Sequence, residues 1–161
     1  EVFFGGGMDQ EDAIYAYRDH AFVLISEEVG LAKKGNTTTT LGAISADMDN
    51  NGFSDLVLGR EDGLYIYYNT DGVFTIQKIE TPINKKSTPA GITVGDIDKD
   101  GDLDIFLSTY LKKELMEGQN IFERYDYGAT SELLLNNGDN TFVSITKQAG
   151  LEYISRCFCR H

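Results

Sequence analysis

The nonapeptide DMDNNGFSD occupies residues 47–55, and DIDKDGDLD repeats its layout at residues 96–104. In each, acidic or amide side chains stand at positions 1, 3, 5 and 9, with glycine at position 6. Alternate residues of a tightly curled loop point inward, so such spacing gathers oxygens around one centre. That suits Ca²⁺, a hard cation taking about six to eight oxygen ligands at roughly 2.3–2.6 Å. The glycine permits a sharp turn that a Cβ would obstruct. The expected ligands of the first loop are Asp47, Asp49, Asn51 and Asp55, with the Phe53 carbonyl at position 7. Those of the second are Asp96, Asp98, Asp100 and Asp104, with the Asp102 carbonyl. Eight of the fifteen aspartates fall in these two loops, and without a divalent ion they would repel one another.

An EF-hand is excluded on two counts. It requires a bidentate Glu at position 12, where this chain has Leu58 and Leu107. It also requires flanking helices, whereas the flanks LGAISA, LVLG, GITVG and IFLS are short and rich in β-branched and small residues, which is strand material. Each loop is therefore expected to join two strands of a hairpin. A solvated acidic turn without metal is the alternative.

At 161 residues the chain can bury one core, and 41% hydrophobic with 25% charged residues is the composition of a folded globular protein. It contains no apolar run long enough for a transmembrane helix. A net charge of −12 argues against nucleic acid as a partner and against electrostatic docking on an anionic membrane. The first residue is Glu, which suggests a piece of a longer chain. Cys157 and Cys159 form a C-x-C pair without further Cys or His spacing, a poor zinc pattern; free thiols or half-cystines with outside partners are the readings. Asn36-Thr37-Thr38 is a sequon that would accept a glycan at Asn36 in a secreted protein.

The chain repeats itself. FVLISEEVGL at residues 22–31 and FVSITKQAGL at 142–151 share Phe, Val, Ile, a hydroxyl residue, Gly and Leu in register, and VFTIQKI at 73–79 occupies the same place between them. NTDG at 69–72 and NNGDN at 136–140 carry hairpin chemistry before two of these. The result is a unit of four strands, A to D. They are expected at 41–46, 55–58, 64–68 and 73–79, and again at 91–95, 104–108, 132–135 and 141–146. Residues 1–26 supply strands B to D of an earlier unit. The predicted fold is all-β, a partial β-propeller of four-stranded antiparallel blades, with calcium loops in the A–B hairpins. Its parts are a partial blade over 1–31, a blade with the first loop over 32–81, a blade with the second loop over 82–151 interrupted by an insertion at 109–130, and an irregular tail at 152–161. Small residues in strand A suit the innermost position. Propellers close with about four to eight blades, and about two and three-quarters are present. A fragment, completion by another chain, or a tail strand added to the first blade would each account for the deficit.

SADMDNNGFSDLVLG followed by YYNTDGVF, and VGDIDKDGDLDIFLS followed by LLLNNGDNTFVSITKQAGL, resemble the FG-GAP/VCBS repeat family, which includes the N-terminal propeller of integrin α subunits. The resemblance covers nearly all of residues 1–151. It implies Ca²⁺ in the loops, a propeller fold, a place outside the cytosol, and roles in adhesion, ligand binding or scaffolding.

Strand alternation places both acidic loops and both Asn-rich hairpins at one end. The other end receives the sequon loop, residues 82–88 and the insertion, whose Tyr110, Phe122, Arg124, Tyr125 and Tyr127 suit a protein partner. One turn of amphipathic helix packing Leu111 and Leu115 is the competing reading. Catalysis finds no support: His20 and His161 lack a nucleophile or base partner, and no phosphate-cradling or hydrolase motif is present. Gly5-Gly6-Gly7 reads as a flexible B–C turn. The expectation is a non-enzymatic calcium-stabilised binding module, with a carbohydrate-binding propeller or an accessory subunit of a large assembly as alternatives.

Overall fold

The computed structural model describes residues 1–7, 10–31, 38–83, 85–116, 128–152 and 154–156. Strands β1 (Val2–Phe4), β2 (Ala13–Arg18) and β3 (Ala21–Leu24) form a first antiparallel sheet in the order β1-β2-β3. Strands β4 (Thr40–Ala46), β5 (Asp55–Arg60), β6 (Gly63–Thr70) and β7 (Val73–Ile79) form a second, in chain order. The chain continues through β8 (Ser87–Gly95), β9 (Asp104–Leu111), one helical turn α1 (Lys113–Met116), β10 (Gly128–Thr130), β11 (Glu132–Asn136), β12 (Phe142–Ser144) and β13 (Ile154–Arg156). The third sheet has the order β12-β11-β9-β8, and β10 pairs with β13 in a two-stranded ribbon. The protein is thus all-β, with three antiparallel sheets of three or four strands.

The second sheet lies between the other two, and the period of its strands shows it. Val57 of β5 turns toward the third sheet, joining Leu64, Ile66, Tyr68, Ile105, Leu107 and Leu134 in one core. Its neighbours Leu56 and Leu58 turn the other way and join Ile14, Ala16, Ile25, Leu31, Tyr67 and Phe74 in a second. A strand covered on both faces carries apolar residues without polar alternation, and every residue of β5 is buried. Each fully buried Leu or Ile contributes about 1.5–3 kcal/mol.

The innermost strands approach closely. A Cβ on Gly42 of β4 would stand 2.6 Å from the carbonyl oxygen of Ala90 in β8. Only glycine allows that spacing at position 42. Hairpin turns follow their residues: Asp71 and Gly72 both take positive φ between β6 and β7, as do Asp19 and His20 between β2 and β3. His20 is therefore an exposed turn residue.

Three expectations are corrected. The insertion expected from Thr109 starts later: β9 runs to Leu111, paired with the start of β8, so Tyr110 lies opposite Thr88 on a strand and not in a loop. The tail is not irregular throughout: Ile154–Arg156 pairs with Gly128–Thr130, and not with the first sheet. The triple glycine is not a flexible turn. Gly6 is buried, donates its N–H to Asp12 Oδ1 at 2.7 Å, and leaves no space for a Cβ against the Gln10 carbonyl. Phe122, Arg124, Tyr125, Tyr127, Asn36, Cys157 and Cys159 lie outside the described residues.

Candidate metal centres

Each acidic loop leaves strand A and re-enters at the first residue of strand B. Both loops take the left-handed conformation at equivalent positions, Asn50 and Gly52 in one, Lys99 and Gly101 in the other. This curl turns the first carboxylate back on its own backbone. Asp47 accepts from the N–H groups of Asn51 (3.1 Å) and Gly52 (2.9 Å), and Asp96 from that of Gly101 (3.3 Å).

The last carboxylate of each loop is the anchor. Asp55 is fully buried and accepts from Met48 N–H at 2.8 Å and Asn69 N–H at 2.7 Å. Asp104, also fully buried, accepts from Ile97 N–H at 2.8 Å and Asn136 N–H at 3.0 Å. Both carboxylates thus tie their loop to strand C.

Asp47, Asp49 and Asp55 each bring a carboxylate oxygen within 4.8 Å of the others, and Asp96, Asp98 and Asp104 do the same. The remaining candidates stand differently. Asn51 Oδ1 accepts from Phe53 N–H at 2.8 Å, and Asp100 Oδ1 from Asp102 N–H at 2.9 Å, so these two side chains brace the loop backbone. Phe53 is exposed at the loop surface. The Asp102 side chain turns outward, accepting from the Asn50 amide at 2.6 Å, a bond that joins the two loops.

The electrostatics fit a cation. Burial pushes the Asp55 carboxyl above its ordinary value; hydrogen bonds from Asn69 and Met48 oppose this, and the charges of Asp49 and Asp47 add to it. Asp98 is also raised, by desolvation and by the charges of Asp100 and Asp104, against a hydrogen bond from the Asp100 N–H. Among the described residues no ion pair involves a loop carboxylate. The Tyr68 hydroxyl is buried without a hydrogen-bond partner, and burial together with the charges of Asp55 and Asp49 pushes its phenol up. Hard carboxylate oxygens gathered in this way, repelling one another when charged, could hold a hard cation.

Two residues at equivalent positions escaped the ligand reading. Asn69 donates its amide to the Ser54 carbonyl at 3.1 Å and accepts from Gly72 N–H at 2.8 Å. Asn136 donates to the carbonyls of Met48 (3.0 Å) and Leu103 (3.4 Å) and accepts from Gly138 N–H at 3.1 Å. Each asparagine locks the C–D hairpin onto an acidic loop. Their signal was the asparagine followed by a glycine in YYNTDG and LLLNNG, which sequence reasoning assigned to turn chemistry alone.

At the opposite end, a hollow of about 400 Å³ opens between the second and third sheets, lined by Leu41, Glu61, Asp62, Thr88, Tyr110 and Lys112 among others. Beside it, Arg60 is buried, ion-paired with Asp12, hydrogen-bonded to Tyr67 Oη at 2.6 Å, and stacked by the Tyr65 and Tyr67 rings. Asp12 also accepts from Thr40 Oγ1 at 2.7 Å, so one carboxylate joins the first sheet to two strands of the second.

No curated protein matches the chain. Residues 47–107, from the first acidic loop into β9, match the model of the family described as FG-GAP-like repeat, so the resemblance read from the sequence holds over that stretch.

Proposed function

We propose that the chain is part of a calcium-stabilised β-propeller module that acts outside the cytosol by binding another protein, without catalysis. The observation that carries this reading is the pair of equivalent carboxylate triads, Asp47/Asp49/Asp55 and Asp96/Asp98/Asp104, at the same end of adjacent sheets. The match to an FG-GAP-like repeat over these loops supports it. The ions act structurally: each joins the end of strand A to the start of strand B and offsets the repulsion among its own ligands. Modules of this sort outside cells hold Ca²⁺ with Kd values of about 10⁻⁴–10⁻³ M. Partner contact belongs at the opposite end, where exposed Tyr110 borders the hollow.

Thermal unfolding of metal-stripped protein during a Ca²⁺ titration tests the metal reading. At about ten times Kd a single site stabilises by roughly 1.4 kcal/mol, so two sites should raise Tm visibly. Asp49→Ala and Asp98→Ala should each remove part of that rise. An unchanged Tm across the titration would remove calcium from the account.

A further inference from the structure

The two acidic loops match in backbone and in anchor, but the side chains beside their anchors differ. Asn69 and Asn136 are equivalents, since each donates its backbone N–H to the last carboxylate of its loop. The residues before them are therefore equivalents too, Tyr68 in the second sheet and Leu135 in the third. Strand pairing places Tyr68 at the first centre. Leu56 pairs with Tyr67, so Asp55 and Tyr68 stand opposite each other one rung further on. Alternation sends both toward the third sheet, where Tyr68 joins the core that also holds Met48 of the first loop. Side chains opposed in this way have Cβ atoms about 4.5–5.5 Å apart.

Tyr68 is 6% exposed, and its hydroxyl has no hydrogen-bond partner among the described residues. Buried polar atoms are seldom left so, and a bound water or ion commonly accounts for the exceptions. The charges of Asp55 and Asp49 both act on this phenol, so its oxygen stands in the field of the first triad. The surroundings of the two triads differ in the same sense. Asp47 and Asp49 are half-buried, whereas Asp96 and Asp98 are exposed. Ionised carboxylates only accept hydrogen bonds, while a phenol oxygen both donates and accepts. Tyr68 can therefore hold a water in place beside the triad, and Leu135 cannot.

We propose that Tyr68 is a cation-binding residue of the first centre alone, its hydroxyl accepting a hydrogen bond from a water on the bound ion. This inference rests on the reading of the acidic loops as cation sites. The two centres then differ in kind. At the first, Tyr68 orients the ion's hydration shell next to three carboxylates and Asn51. At the second, four carboxylates face an ion whose remaining waters belong to open solvent. Partners that orient the shell around a metal typically alter its affinity by about 10–100-fold.

Calorimetric Ca²⁺ titration of the metal-stripped 161-residue chain tests it, with Tyr68→Phe removing one oxygen and nothing else. One site should weaken by about tenfold and the other should keep its affinity. In an Asp98→Ala background, which disables the second centre, Tyr68→Phe should weaken the remaining site by the same factor. In an Asp49→Ala background it should change nothing. Thermal unfolding supplies a readout that a packing role would not imitate. In EDTA, Tyr68→Phe should melt no lower than wild type, because its hydroxyl has no partner to lose, while the rise caused by Ca²⁺ should shrink. Equal losses of Tm with and without Ca²⁺, or two sites that bind as in wild type, overturn the role of Tyr68 and leave the cation sites standing. A wild type that shows neither binding heat nor a rise in Tm overturns the loop reading, and this inference with it. Should a background variant misfold, the two-site titration of Tyr68→Phe alone and its Tm in EDTA decide the matter.

Discussion

Asn136, at the end of the third sheet, donates its side-chain amide to the Met48 carbonyl inside the first acidic loop at 3.0 Å. Met48 in turn donates its N–H to Asp55. The first carboxylate cluster is therefore braced by a residue belonging to the second, and the Asn50–Asp102 bond adds a further tie between the loops.

Asn136→Ala should accordingly act at both clusters. Leaving buried carbonyls unpaired costs about 1–3 kcal/mol, which urea denaturation in EDTA would measure. Calcium affinity should drop at the first loop as well as the second. If calorimetry shows the first site untouched, the brace has no functional weight.

Asp12→Ala should be among the most damaging single changes at the interface of the first two sheets. It leaves the buried Arg60 guanidinium without its counter-charge, and breaking a buried pair from one side costs about 3–5 kcal/mol. Asp12→Ala combined with Arg60→Met should recover much of the loss. A double variant no more stable than Asp12→Ala alone would show that the charge is not the source of the damage.

Gly42→Val tests the close approach of the innermost strands. Its Cβ would meet the Ala90 carbonyl at 2.6 Å, and overpacking of this kind costs about 1–3 kcal/mol. Gly52→Ala, where no atom stands within 4 Å but φ is +89°, should be destabilising through backbone strain alone. Comparable stability of Gly42→Val and wild type in urea would mean that the strands can separate at no cost.

Acidity should separate the metal-free and calcium-loaded proteins. Asp55 is raised above its ordinary value in the fold, by burial first and by neighbouring carboxylates. An acid with a raised folded-state pKa binds more protons folded than unfolded, so its contribution to metal-free stability declines as pH rises through that window. Calcium needs the ionised form, so its stabilising effect grows over the same window. As pH rises above the ordinary aspartate value of about 4 the Tm difference between Ca²⁺ and EDTA samples should widen. A difference independent of pH would contradict this.

Much of the architecture was legible because it depends on local pattern. The place of residues 73–79 in the repeat, after the NTDG turn, predicts a strand there, and β7 has those bounds. The acidic loops announced themselves because carboxylates at fixed intervals are costly without a purpose. Legibility failed where partners are far apart in the chain. Arg60 and Asp12, or Asn50 and Asp102, meet only after whole sheets have docked, and nothing near either residue names the other. The extension of β9 through Tyr110 failed for a different reason. TYL reads as loop beside a charged insertion, and its pairing with Ser87–Pro89 crosses a register shift before Gly91 that periodicity does not reveal.

The central position of the second sheet sets the order in which the molecule should come apart. Its backbone amides are shielded by a core on either side, so they should exchange with deuterium only when the whole chain unravels. The first sheet, held among the described residues through one face, can peel away as a separate cooperative unit. A ladder of exchange rates, slowest in β5 and fastest in β1, is what such a stack would write into its own hydrogens.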